Sequence, residues 1–118
     1  MARKDELGRR GEQVAADWLE GLGYRVVDRN WRCPTGELDL VLRQGRTLVF
    51  AEVKTRSSLE FGHPFEAITS AKSARLRRLA AHWCREHAPA AADVRIDAVA
   101  VTDAWSERPL VEHLTGIV

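Results

Sequence analysis

The chain has 118 residues, 45% of them hydrophobic and 30% charged, with a formal net charge of +1 at pH 7. That length and apolar content fit one compact domain over residues 1–118 with a modest core, and no Pro/Gly/Ser-rich linker, internal repeat or low-complexity tract divides it. A net charge so close to zero says little about partners, so the position of the charges has to carry that information.

The first residues, Met1-Ala2-Arg3-Lys4-Asp5-Glu6, lack an apolar signal segment, and the longest apolar run in the hairpin described below is Leu48 to Ala51. A cytoplasmic protein without membrane association is expected. Cys33 and Cys84 stand alone without Cys-x-x-Cys spacing, which argues against a disulfide framework. Zinc ligation by His82, Cys84 and His87 is also disfavoured, because residues 82 and 84 of a helix point about 160° apart.

In chain order, apolar residues at Leu7, Val14, Ala15, Trp18, Leu19 and Leu22 predict a helix from about Asp5 to Leu22, stopped near Gly21 or Gly23. Gly8, Gly11 and Ala15 lie along one side of it, where small residues lower helix stability and signal close approach of another backbone or a ligand. Glu12 projects at the flank of the apolar stripe. It is either a rim carboxylate paired with Arg9 or a neighbour, or an acidic group held toward a site. Tyr24 to Trp31 reads as a strand with Arg25, Arg29 and Arg32 available outside it, and Cys33-Pro34-Thr35-Gly36 turns the chain.

A hairpin follows. Residues 37–42 alternate strictly and residues 47–54 are rich in Val, Leu, Phe and Thr, so both read as strands. With Gln44-Gly45 as a two-residue loop, Asp39 faces Phe50 and Glu37 faces Glu52, which puts Asp39, Glu52 and Lys54 on one side of the sheet. Asp39 and Glu52 are then diagonal neighbours at roughly 7 Å, from which two carboxylates reach one hard cation. An odd-numbered loop would turn Asp39 to the opposite face. The alternative for Glu52-Val53-Lys54 is an ordinary ion pair on an exposed strand. Against it stands the composition: fifteen arginines but only three lysines, Lys4, Lys54 and Lys72. Lys54 and Lys72 therefore suit tasks that need a compact, tunable ammonium.

Thr55 to Glu66, with Arg56, Phe61, Gly62, His63 and Pro64, is long enough for a substrate-facing loop. A second helix is predicted to start at a Thr69 or Ser70 cap and run to about His87, ahead of Pro89. Leu76, Leu79, Ala80 and Trp83 form its buried stripe; Arg75, Arg78, His82 and Arg85 form a separate basic face. Lys72 belongs by angle to the buried stripe, in the first turn, where the helix macrodipole disfavours a cation. It is either a snorkelling lysine at the core edge or the partner of a site carboxylate or phosphate. Val94 to Val101 and Leu110 to Leu114 supply two more strands, and Asp97 in the first of them reads as a structural partner for a basic residue. The resulting order, α-β-β-β-α-β with an extra C-terminal strand, is an α/β fold with a mixed sheet packed against both helices. With four Trp and one Tyr, most at core-like positions, no aromatic platform for stacking single-stranded bases is expected.

This order, with an aspartate in the second strand and Glu-x-Lys in the third, resembles the PD-(D/E)XK nuclease superfamily, the restriction-endonuclease-like fold shared with Holliday junction resolvases. More closely, Gly8 with Gly11-Glu12, Gly36-Glu37-Leu38-Asp39-Leu40-Val41, Phe50-Ala51-Glu52-Val53-Lys54-Thr55-Arg56, Phe61-Gly62, Lys72 and Arg95-Ile96-Asp97 resemble the YraN family of predicted bacterial endonucleases. The resemblance implies that Asp39 and Glu52 are metal ligands, Lys54 the catalytic lysine and Glu12 the helix-borne acid. The chemistry expected is Mg²⁺-dependent phosphodiester cleavage, with Mn²⁺ able to substitute and the Val53 carbonyl as a further ligand. Lys72 is the second catalytic lysine of this reading, and Lys72, Arg56, Arg75, Arg78 and Arg85 bind backbone phosphates. The expected function is a structure-selective DNA endonuclease of repair or recombination, acting on branched or nicked DNA, and a homodimer if the junction is two-fold symmetric. The alternative is a nucleic-acid-binding or adaptor module that keeps the fold without turnover.

Overall fold

A computed structural model describes residues 2–58 and 62–117. Helix α1 (Ala2–Gly21) leads into β1 (Arg25–Cys33), β2 (Gly36–Gln44) and β3 (Thr47–Arg56); a short 3-10 turn at Pro64–Ala67 precedes α2 (Ser70–His87), and β4 (Asp93–Thr102) and β5 (Leu110–Leu114) close the chain. The five strands form one sheet in the order β1-β2-β3-β4-β5. All neighbours are antiparallel except β3 and β4, which run parallel because α2 carries the chain back across the sheet between them. The expected α/β architecture is the observed one.

Each helix covers one face. Val14, Ala15, Ala16 and Leu19 of α1 pack with Leu40, Leu42, Val49, Ala51, Val53, Val99 and Val101. Leu76, Leu79, Ala80 and Trp83 of α2 pack with Leu38, Val41, Leu48, Phe50 and Ile96. The two sets interleave residue by residue along β3, which is why that strand reads as a nearly continuous apolar run. Gly11 is fixed by this packing: a Cβ there would lie 1.9 Å from Thr55 Oγ1, so α1 meets β3 where only a hydrogen fits. Gly8 has no such neighbour.

The predicted helix signals are realised. Thr69 is the N-cap of α2, its hydroxyl accepting from Lys72 N, and Ala88 in the left-handed conformation ends the helix one residue before Pro89. The hairpin register differs from expectation by two residues. Gln44 pairs with Thr47, and Val41, not Asp39, faces Phe50. The loop is Gly45-Arg46, because Gly45 with φ +60° supplies the positive φ that the first position of a tight hairpin loop requires, a position Gln44 fills poorly.

That shift keeps the parity of the pairing but brings Asp39 directly opposite Glu52 on continuing the register past its last pair, Leu40↔Ala51. Strict alternation over residues 37–42 also fails. Leu38 packs on the α2 side and Leu40 on the α1 side, so β2 changes face at Asp39. On the neighbouring strand, Asn30 lies between the pairs Arg29↔Leu40 and Trp31↔Leu38 and has φ 49°. The sheet is irregular where its acidic residues gather.

Candidate metal and nucleic-acid site

The site is built where β2 and β3 stop pairing. Past Leu40↔Ala51, the Asp39 carboxylate accepts the Val53 N–H at 2.8 Å, so a side chain does what the ladder does elsewhere. Asp39 also shares a hydrogen bond with the Glu52 carboxyl, which requires one of the two to be protonated. Burial, then the charge of Glu52 and that shared hydrogen bond, push the Asp39 carboxyl up to about 8, against a smaller downward pull from Val53 N–H. Glu12 of α1 adds to the same field: its pKa is raised by burial first and then by Glu37 and Glu52, with a hydrogen bond to Asn30 and the charge of Arg29 opposing. The proposed Arg9 partner of Glu12 is replaced by Asn30 and Arg29 of β1, the strand that α1 touches there.

Among the described residues no ion pair forms to Asp39, Glu52 or Glu12, although six form elsewhere. Glu37 has a cation, Arg32, at 2.6 Å. Lys54, half-buried on β3, makes no ion pair with Glu52, so the ordinary surface pair is not what this strand holds. Lys72 is half-buried in the first turn of α2, its backbone N–H on Thr69; among the described residues nothing links its ammonium to the carboxylates.

Two grooves flank the centre. On the α1 side, Gly8, Glu12, Val53, Thr55, Arg56 and Ser57 line one that runs from the helix to the end of β3. On the α2 side, Arg75, Arg78, His82 and Arg85 line another with Thr35. The predicted basic face of α2 is thus a groove wall, while Arg56 belongs to the opposite side of the sheet. Phe61 lies outside the described residues.

Asp97 is the contrast. It is fully buried, yet both its oxygens are bonded: Arg95 Nε and Nη2 at 2.8 Å each, His113 Nε2 at 2.7 Å and Gly116 N at 3.0 Å. Arg95 also donates to Tyr24 Oη at 2.7 Å. Burial pushes the Asp97 carboxyl up, but the hydrogen bonds from Arg95, Gly116 and His113 outweigh it and hold the group below its ordinary value. It is the structural partner of a basic residue and takes no part in the Asp39 centre.

Mg²⁺ binds through one or two carboxylates and keeps several waters, unlike a zinc or calcium cage. The donor set fits that pattern. Among the described residues no three Asp, Glu, His or Cys side chains close on one point, but Asp39 and Glu52 supply two hard oxygen donors in contact, with the Val53 backbone beside them. Asn30 escaped the sequence reading. The signal for Asn30 was its residue type, one of the few that tolerate positive φ.

No helix among the described residues is long and apolar enough to cross a membrane. Comparison with known proteins places this chain in a family. Residues 11–101 match the model described as Uncharacterised protein family UPF0102, a span that includes Glu12, Asp39, Glu52, Lys54 and Lys72. A UPF0102 protein of Beutenbergia cavernae is 62% identical over 117 residues, covering 99% of both chains. One from Leifsonia xyli subsp. xyli is 57% identical over 118 residues, with both chains fully covered, and one from Frankia alni is 53% identical over 116 residues, covering 98% of this chain and 97% of its own. A match over most of the chain and end-to-end similarity at this level together make it a member of the UPF0102 family.

Proposed function

We propose that the chain is a divalent-cation-dependent endonuclease acting on DNA, of the PD-(D/E)XK type and selective for branched, nicked or flap structures in repair or recombination. The observation that carries this reading is the Asp39–Glu52 pair: two carboxylates held in contact, with Glu12 close by and no cation of the chain's own paired to them among the described residues. Two carboxyls held in contact must share a proton at neutral pH, and a bound divalent ion would take that proton's place.

Mg²⁺, or Mn²⁺ in its place, supplies charge neutralisation at a phosphoryl oxygen and at the leaving oxygen. Asp39, Glu52 and the Val53 carbonyl are the residues that would hold it. Lys54, two residues along β3 from Glu52 and free of ion pairs among the described residues, orients the attacking water or accepts its proton. Glu12 holds further water on the α1 side. Arg56 on one side of the sheet, and Lys72, Arg75, Arg78 and Arg85 on the other, bind backbone phosphates without reading sequence.

Purified protein incubated with branched, nicked, flap and linear DNA in Mg²⁺ or Mn²⁺ tests this directly. Cleavage of a non-linear substrate that disappears in Asp39→Ala is the expected result; cleavage undiminished in that variant, or none of any substrate, defeats it. The second reading, a DNA-binding module without turnover, rests on the α2 groove, whose Arg75, Arg78 and Arg85 lie across the sheet from Glu12 and need no metal. It expects salt-sensitive binding that is indifferent to Mg²⁺.

A further inference from the structure

Trp105 is the most exposed large apolar side chain among the described residues, at 65% of its full accessibility, and nothing in the fold accounts for that. Its immediate neighbour Ala104 is fully buried. The turn between them is tied down on both sides. Asp103 N donates to Arg56 O at 2.8 Å, Asp103 takes a positive φ of 59°, and Ser106 N donates to Asp103 O at 3.0 Å. Arg10 of α1 donates from Nε to Ala104 O at 3.1 Å and sets its guanidinium 5.8 Å from the Trp105 ring centroid. An indole is thereby held outward on a rigid turn, one face supported by a cation. The expectation that the aromatic residues sit mostly at core-like positions does not hold for Trp105, because exposure of a lone Trp in a β-connection depends on which way the turn is pinned.

The turn stands beside Arg56, which lines the α1-side groove with Glu12. Arg56 is four residues beyond Glu52, about 13 Å along the strand, or roughly four base steps. Arg10 sets its guanidinium over the ring, and Arg56 is tied to the same turn through its carbonyl. We infer that Trp105 is a stacking platform for an unpaired nucleobase, with Arg10 and Arg56 on the adjoining phosphates. This rests on the nuclease reading for its substrate and sharpens it: the preferred DNA carries an unstacked base roughly four base steps from the scissile bond, as in a flap, gap or junction, because an intact duplex offers no free base face.

The test follows intrinsic tryptophan fluorescence while a short oligothymidylate, a gapped duplex and a blunt duplex of equal length are added in turn. The single strand and the gapped duplex quench the wild type, the blunt duplex quenches far less, and the quenching is lost in Trp105→Ala, which keeps Trp18, Trp31 and Trp83. Single-strand affinity falls about 5- to 150-fold, the range for one lost stacked base, and Trp105→Phe recovers part of it. The unfolding midpoint of Trp105→Ala matches the wild type, since an exposed ring contributes little to the core. Equal quenching and affinity in Trp105→Ala would overturn the inference. So would a concentration-dependent blue shift without DNA that vanishes in Trp105→Ala, which would make the ring a contact between proteins. Preferential cleavage of gapped over blunt DNA that Trp105→Ala leaves unchanged sinks the stacking role and spares the nuclease; Trp105-dependent binding without cleavage in Mg²⁺ or Mn²⁺ does the reverse.

Discussion

Asp39 and Asp97 are both strand aspartates in the middle of one sheet, two strands apart, and the protein treats them in opposite ways. Asp97 is given a guanidinium, an imidazole and a backbone N–H, all from the chain itself. Asp39 is given a second carboxyl, a third nearby, and a single backbone N–H. Both are desolvated, so burial alone would raise both; the partners decide the sign. A carboxylate that the fold needs is neutralised within the fold. One that keeps a proton because nothing in the fold neutralises it is a place for something else to bind.

The largest expected effect is on the self-sufficient side of this contrast. Asp97→Ala removes the buried carboxylate that Arg95 and His113 share and should lower unfolding stability by about 3–5 kcal/mol in urea titration, with no change in response to Mg²⁺. A loss below about 1 kcal/mol would mean the network is no more than a surface pair. Next comes the cation itself. At a hundredfold excess over its dissociation constant, Mg²⁺ should stabilise the wild type by about 2.7 kcal/mol, and Glu52→Ala should abolish that gain. A gain retained in Glu52→Ala would place the cation elsewhere.

The third contrast is in pH dependence, which has opposite signs at the two aspartates. Asp39 titrates at about 8 in the fold and near 3.9 unfolded, so between those values the folded chain holds the extra proton. Without metal, stability contributed there falls as pH rises through that window. Asp39→Asn removes the titration, so its stability relative to the wild type should rise as pH climbs from about 5 to about 9. Asp97, held below its ordinary value, contributes stability that is present above the unfolded pKa and is lost as pH falls through the folded one. Thermal unfolding from acid to alkaline pH on wild type and Asp39→Asn separates the two slopes.

The parts of this contrast that were legible in the sequence are those fixed by local rules. Thr69 as a cap, the end of α2 ahead of Pro89, β5 at Leu110–Leu114 and Arg95-x-Asp97 on one strand face all follow from period, capping or same-face spacing. The hairpin was legible in parity but not in step. Gln44-Gly45 and Gly45-Arg46 are both two-residue loops, and only the need for positive φ at the first loop position separates them. That step matters, since it converts a diagonal Asp39–Glu52 pair into one in contact. The change of face at Asp39, the approach of Glu12 to Asn30 and the outward turn at Trp105 depend on how distant segments meet, so no local pattern encodes them. The same holds for His113 and Gly116, which reach Asp97 from the last strand and the residues after it.

Metal binding to a pair that shares a proton must release that proton. Calorimetric titration of Mg²⁺ into the protein, repeated in buffers of different ionisation enthalpy, counts it. At pH 7, below the value near 8 for Asp39, release should approach about one proton per cation and fall toward zero by about pH 10, and Asp39→Asn should release none. Binding of Mg²⁺ without proton release at pH 7, or with equal release in Asp39→Asn, would contradict the assignment of the Asp39–Glu52 pair as the cation site.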